Sequence, residues 1–183
     1  MKLNLGSGNK RFDGFVNVDS DPKCNPDYVI RLGVDELPFD DDCVDEVIAH
    51  HVFEHIGGAG FFTFLKQLYR ICEHGAIIDI HVPHPRHDYF LGDLTHVRPI
   101  TIENMRPLSK KWCETQSYIN SSWSGLAFQL GVDFEIVQYE YLLDDTFKSI
   151  IKDITDSAQI DWMARAMNNA ISEIRFKMMV IKE

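Results

Sequence analysis

Short apolar runs alternate with helix-like segments along the chain, and this alternation does most to limit the folds open to it. Residues 2–5, 15–19, 28–31, 46–50 and 76–82 read as strands. The clearest helix covers residues 60–73. Phe61, Phe64, Leu65, Leu68 and Ile71 recur there at helical spacing, Lys66, Gln67 and Arg70 take the other side, and Gly75 suits a C-terminal stop. This order predicts an α/β protein: a doubly wound, mostly parallel sheet with helices on both faces. In the last third, residues 134–142 and 177–182 read as a final strand pair, separated by helices over 145–153 and 157–170.

The 183 residues suit a single domain, 1–183, with one sizeable core. Hydrophobic residues at 45% and charged residues at 25% are ordinary for a globular protein. No tract of about 18 apolar residues signals a membrane span. The opening Met1-Lys2-Leu3-Asn4-Leu5-Gly6 lacks the apolar run of a secretory signal, so a cytoplasmic location is expected. Cys24, Cys43, Cys72 and Cys113 make no CxxC pair and are expected as free thiols, with Cys43 and Cys72 filling the core. The net charge of −10 weighs against a nucleic-acid partner, which usually needs a basic stripe, although a local patch at Lys110-Lys111 stays open. Nothing in the sequence speaks to oligomeric state.

Leu3-Asn4-Leu5-Gly6-Ser7-Gly8-Asn9 is a short strand running into a GxG turn. Glycine there permits positive φ and close approach of a ligand, at the strand end where open α/β sheets bind one. A GxG pair alone also fits an ordinary strand-to-turn connection. A dinucleotide reading fails on two details. The third glycine of GxGxxG would fall at Arg11, and Asp19 comes 11 residues after Gly8, where about 20 are expected before a ribose acid. The connection from Gly6 to Gly14 has room for one helical turn at most, against the dozen or more residues of a usual crossover.

Residues 3–22, LNLGSGNKRFDGFVNVDSDP, resemble the first two motifs of compact class I S-adenosylmethionine-dependent methyltransferases. Residues 37–56, LPFDDDCVDEVIAHHVFEHI, are similar to that family's next block. Residues 92–101, GDLTHVRPIT, resemble a segment of small members associated with glycan or surface-polysaccharide methylation. The blocks span the first hundred residues, and the remainder matches only in element order. The resemblance implies a Rossmann-like sheet with an antiparallel final strand, and S-adenosylmethionine as cofactor. It implies that the Leu5–Asn9 turn, chiefly Gly6, Ser7 and Gly8, wraps the methionine part. Asp19 would accept from the ribose hydroxyls, for which two carboxylate oxygens are suited. Leu37 would pack on adenine and His50 would line the methionine end. Many relatives carry an aspartate four residues before this leucine; here Gly33 stands there, leaving Asp35 or Glu36 as substitutes. Lys10 or Arg11 would pair with the cofactor carboxylate. The plainer alternatives are a solvated turn acid for Asp19 and core packing for Leu37.

All eight histidines fall between His50 and His96. His51 and His55 can share a helix face, but HHVFEH is not HExxH, since Glu54 adjoins the second histidine. His81, His84, His87, Asp88, Asp93 and His96 offer ligands in no recognised metal spacing, so no metal is expected. Proton handling is the other reading. His84, His87 and His96 are the candidate bases, in a proline-stiffened stretch and a following segment expected to converge beside the cofactor. Asp88 or Asp93 would orient an imidazole, and Arg86, Asp88 and Arg98 would hold an anionic or polyhydroxylated substrate. Plainer readings give His74 to a helix dipole, His81 to a buried strand, and His96 with Arg98 to a tie onto Asp93. Trp112, Tyr118, Trp123 and Phe128 read as core before they read as a pocket roof.

The function expected is methyl transfer to a small polar acceptor, a hydroxyl of a sugar or glycan intermediate, the glycan part resting on the resemblance. The rivals are N-methylation of a small amine and a non-catalytic, cofactor-binding partner subunit. A nicotinamide enzyme is disfavoured by Arg11 and the early Asp19. DNA base methylation is disfavoured because His51-Val52-Phe53 follows the fourth strand in place of an Asp/Asn-Pro-Pro-aromatic motif.

Overall fold

The computed structural model describes residues 1–116 and 123–182, so Tyr118 lies outside the described residues. Seven strands form one sheet: β1 (Lys2–Leu5), β2 (Phe15–Asp19), β3 (Tyr28–Val29), β4 (Val44–His50), β5 (Cys72–Pro83), β6 (Phe134–Leu143) and β7 (Ile171–Val180). Their spatial order is β3-β2-β1-β4-β5-β7-β6. The first five strands pair in parallel, and β7 runs antiparallel to both β5 and β6. This is the mostly parallel sheet with an antiparallel final strand that the sequence predicts.

The helices are α1 (Gly60–Ile71), α2 (Asp88–Leu91), α3 (Ile102–Met105), α4 (Lys110–Glu114), α5 (Leu126–Leu130), α6 (Asp145–Ile151) and α7 (Ser157–Ala166). The apolar stripe of α1 is buried as its spacing predicts. Strand β7 starts earlier than expected. Ile174, Phe176, Met178 and Val180 alternate with Glu173, Arg175 and Lys177, a period of two whose charged half hides it in the sequence. The last helix stops short at Ala166, because Met167 is already extended (φ −97°, ψ 144°). Among the described residues, no helix is long and apolar enough to cross a membrane.

The main core lies against one face of the sheet. Leu3, Val47, Ile78 and Met178 stand side by side in register and all belong to it, with Phe61, Phe64, Leu65 and Leu68 of α1 above them. Glu46, Asp79, His81, Arg175 and Lys177 point to the opposite face, and Ile48, Ile77 and Met179 beside them stay outside both apolar clusters. Helix packing is therefore unequal on the two faces, where the sequence reading expects both to be covered. The short β1–β2 crossover, which carries no helix, is one reason. Under it, Asn4 Nδ2 donates to Asn17 Oδ1 (3.0 Å) and to Lys10 O (2.8 Å), so buried amides stand where an apolar helix would otherwise pack. Helices α6 and α7 form a separate small cluster with Leu143, Ala170 and Ile171.

All four cysteines are free. Cys72 lies in the core, where burial pushes its thiol up to about 12, and Cys43 packs partly against that core. Trp123 and Phe128 are exposed, which corrects the expectation of core packing; Trp123 meets Trp112 edge-on with ring centroids 4.9 Å apart.

Candidate active site

Strand β1 lies between β2 and β4, so the chain leaves it in opposite directions and opens a crevice at the carboxyl ends of these strands. A cleft of about 440 Å³ occupies that place, lined by Gly6, Asp19, Ser20, Ile30, Arg31, Leu32, His51, Val52, His55 and Ile56. The size is within the range of small-molecule sites, roughly 300–1,000 Å³. Gly6 has φ 61°, and a Cβ on it would stand 2.4 Å from Val52 Cγ2, so only glycine brings the backbone this close. The Gly8 amide donates to Asp19 Oδ2 (2.7 Å) and the Asp21 amide to Oδ1 (2.9 Å). These bonds fix the carboxylate against the glycine turn, and its remaining lone pairs are available to a ligand.

Other expected cofactor residues stand elsewhere. Leu37 is a core residue only 3% exposed, and Ile30 and Leu32 form the apolar wall of the cleft instead. Glu36 is exposed and absent from the lining. Asp35 is forked onto Arg31 at 2.8 and 3.1 Å, and that guanidinium and the Arg31 amide bring its carboxyl down to about 2. Gly33 cannot be an acid here, because its Cβ would lie 2.8 Å from both Gly60 O and Ile56 Cγ2. Leu5 is buried below the turn, Ser7 is buried within it, and Asn9 and Lys10 are exposed. Lys10 Nζ sits 5.1 Å above the Phe12 ring.

His50 does not line the cleft. Its ring points to the other face and stacks on its register partner His81, with centroids 3.7 Å apart and planes 11° from parallel. The next residue, His51, lies past the end of β4, and its left-handed backbone turns it into the cleft. Burial, and next the charge of His81, bring the His50 imidazole from 6.5 down to about 4. A folded-state value below the unfolded one means that this contribution is complete above about pH 6.5 and is lost as the pH falls toward 4. Thermal melts across that interval are expected to show a steeper acid loss in wild type than in His50→Phe, which keeps a ring in the stack but cannot titrate. Parallel curves would remove His50 from the acid response.

His51 was not singled out for the site by sequence, yet it lines the cleft in a left-handed conformation (φ 57°), one that non-glycine residues rarely adopt and that clusters at functional sites. Its Nε2 lies 3.0 Å from Glu173 Oε2 and its Nδ1 3.5 Å from Glu54 Oε1. The long contact to Glu54, together with the charge of both carboxylates, raises the imidazole pKa. His55 also lines the cleft and meets the edge of His96 at 4.7 Å. The segment carrying His96 is docked by the Val97 and Arg98 amides, which donate to Glu54 O at 2.9 and 3.2 Å.

The expected convergence of two histidine segments is corrected. Asp93–Arg98 packs behind His55, a wall of the cleft, without lining it, whereas the 84–88 loop turns toward α6 and α7. His87, 4% exposed, accepts from the Tyr89 amide at the start of α2 and sits 3.4 Å from Asp144. Asp88 is paired with Asn169, and Arg86 donates to Ala164 O. His84 accepts from the Arg86 amide (3.3 Å), and burial brings its imidazole down to about 4. Arg98 donates to Gly58 O (3.2 Å) and lies 4.4 Å above the Phe61 ring, outside the cleft lining. These contacts hold loops in place.

No family profile and no curated protein matches the chain. Solved structures do. A SAM-dependent methyltransferase from Archaeoglobus fulgidus aligns with a TM-score of 0.65 at 18% identity, over 97% of this chain and 85% of that one. The phosphoethanolamine N-methyltransferase 2 of Haemonchus contortus, solved with S-adenosyl-L-methionine, aligns with a TM-score of 0.56 at 14% identity, over 99% of this chain and 48% of that one. The [4+2]-cyclase SpnF aligns with a TM-score of 0.57 at 12% identity, over 100% of this chain and 75% of that one. At these identities the likeness is one of fold, the Rossmann-like sheet that these structures share. With a cyclase among them, these structures show one fold carrying more than one chemistry.

Proposed function

We propose that this protein transfers a methyl group from S-adenosylmethionine to a small polar acceptor, a hydroxyl of a sugar or glycan intermediate. One observation carries the reading: the cleft at the sheet's switch point has the Gly6 turn and Asp19 on one side and His51 with His55 on the other. These residues fit the cofactor. The Gly6–Asn9 turn would hold the methionine end, Asp19 would accept from the ribose hydroxyls, and Ile30 and Leu32 would flank the adenine.

The bound cofactor supplies an activated methyl group on a sulfonium. The chain positions the acceptor, excludes water and takes up a proton. His51 Nε2 donates to Glu173, so Nδ1 is the atom that accepts the hydroxyl proton, and Glu54 and Glu173 stabilise the imidazolium that forms. This assignment replaces His84 and His87, which face the α6–α7 side. The sugar acceptor is supported by the likeness of residues 92–101, and the chain's acidity makes nucleic acid a poor acceptor.

Calorimetry is expected to show one equivalent of adenosylhomocysteine bound and no NAD. The reverse outcome would overturn the cofactor assignment. Methyl-labelled cofactor, offered with monosaccharides, polyols and small amines, is expected to label oxygen. In His51→Gln the rate should fall by about 10²–10⁴ with cofactor affinity kept. Label on nitrogen would assign the amine reading instead, and tight binding with no transfer to any acceptor would point to a partner subunit.

A further inference from the structure

We infer that Glu54, His55 and His96 form a site for one divalent transition-metal ion at the acceptor side of the cleft. One ligand atom from each of the three lies within 4.8 Å of the others. Glu54 is 0% exposed, and neither carboxylate oxygen has a hydrogen-bond partner. A buried carboxylate with no hydrogen bond of ordinary length keeps acceptor capacity that a bound cation can complete. Its nearest basic neighbour, His51 Nδ1 at 3.5 Å, stands beyond the usual hydrogen-bond length.

The two imidazoles are oriented as metal ligands are. His55 Nδ1 faces Thr95 O at 3.3 Å and Thr95 Oγ1 at 3.0 Å, and His96 Nδ1 faces Phe90 O at 3.0 Å. A carbonyl oxygen only accepts, so each Nδ1 carries the proton and each Nε2 keeps its lone pair. This is the outer support that fixes the tautomer of a metal-binding histidine. Asp93 Oδ2, 3.7 Å from His96 Nε2, adds negative charge beside the site. Two imidazoles and one carboxylate suit a zinc-like ion and leave coordination positions open. His55 lines the cleft, so an open position there faces an acceptor oxygen, a role that rests on the methyl-transfer reading.

No ligand spacing appears in the sequence because the docking of 93–98 onto Glu54 O brings in the third ligand, His96, from beyond a long stretch of helix and strand. The expectation of no metal is thereby replaced. A second cluster, His50, Asp79 and His81, is a weaker candidate, since its two rings stack nearly parallel and do not converge their lone pairs on one point.

The test uses the full chain, stripped with chelator and titrated with Co²⁺ by calorimetry and visible absorption. One equivalent should bind, with d–d bands typical of mixed nitrogen and oxygen ligands. Glu54→Gln and His96→Gln should each weaken binding at least about 10-fold, while His81→Gln leaves it unchanged. Co²⁺ should raise the Tm of wild type and not that of Glu54→Gln, whose metal-free form should melt no lower than metal-free wild type. If Glu54→Gln fails to fold, His96→Gln carries the comparison. Absent binding, or binding lost in His81→Gln and kept in the other two variants, overturns the site. Adenosylhomocysteine is titrated into the same stripped samples and is expected to bind. Its failure to bind wild type would sink the methyl-transfer reading and leave the metal result standing.

Discussion

Asp19→Ala is expected to weaken adenosylhomocysteine binding by about 2–3 kcal/mol, roughly 30- to 150-fold. The carboxylate meets two ribose hydroxyls in the proposed complex, and hydrogen bonds to a charged acceptor are the stronger kind. The structure adds a second contribution. Asp19 also receives the Gly8 and Asp21 amides, so its removal frees the glycine turn as well as the ribose contact. Asp19→Asn, which keeps one carbonyl acceptor, should fall between wild type and alanine. Calorimetry on folded variants decides the matter, and unchanged affinity in Asp19→Ala would defeat the cofactor assignment.

Gly6→Ala is expected to be more damaging, because two costs coincide. A left-handed conformation disfavours an L-residue by about 1–2 kcal/mol. The new methyl would also meet Val52 Cγ2 at 2.4 Å, and Val52 is buried, β-branched and itself a wall of the cleft. Overpacking of this kind adds about 1–3 kcal/mol, for a total near 2–5 kcal/mol. Gly8→Ala is the control: its φ of 49° carries the backbone cost, but nothing lies within 4 Å of the added methyl. Thermal melts should therefore rank Gly8→Ala well above Gly6→Ala. Shortening the obstructing side chain in Gly6→Ala/Val52→Ala should recover part of the loss. If Gly6→Ala is as stable as Gly8→Ala and binds as wild type, the close approach has no functional meaning.

Much of the frame is legible in the sequence. The bounds of β1 and β2 are read to the residue, and the short crossover between them is readable by counting. The glycine turn and Asp19 also come out together, because turn chemistry and the end of a strand are local properties. What failed to read depends on facing and on distance. His50 and His51 are chemically alike, but His50 ends β4 on the face of His81, and a left-handed turn at His51 takes that ring into the cleft. Leu37 reads equally as an adenine contact and as core, and the core holds it. The 84–88 loop follows the same strand as Asp93–Arg98, but Asn169 and Asp144, some 60 to 80 residues later, draw it toward α6. Glu54 looks in sequence like one more acid before a helix; that it is wholly enclosed is a tertiary fact.

The unequal faces of the sheet also shape the response to temperature. The heat capacity released on unfolding rises with the apolar area that becomes hydrated and falls with the polar area. A face of Glu46, Asp79, His81, Arg175 and Lys177 exposes more charge and amide when the strands separate than an apolar face would, with Ile48, Ile77 and Met179 as its hydrocarbon. This chain therefore has a smaller unfolding heat capacity than a sheet of equal length buried on both sides. Its curve of stability against temperature is flatter, and its resistance to cold extends further below the temperature of maximum stability.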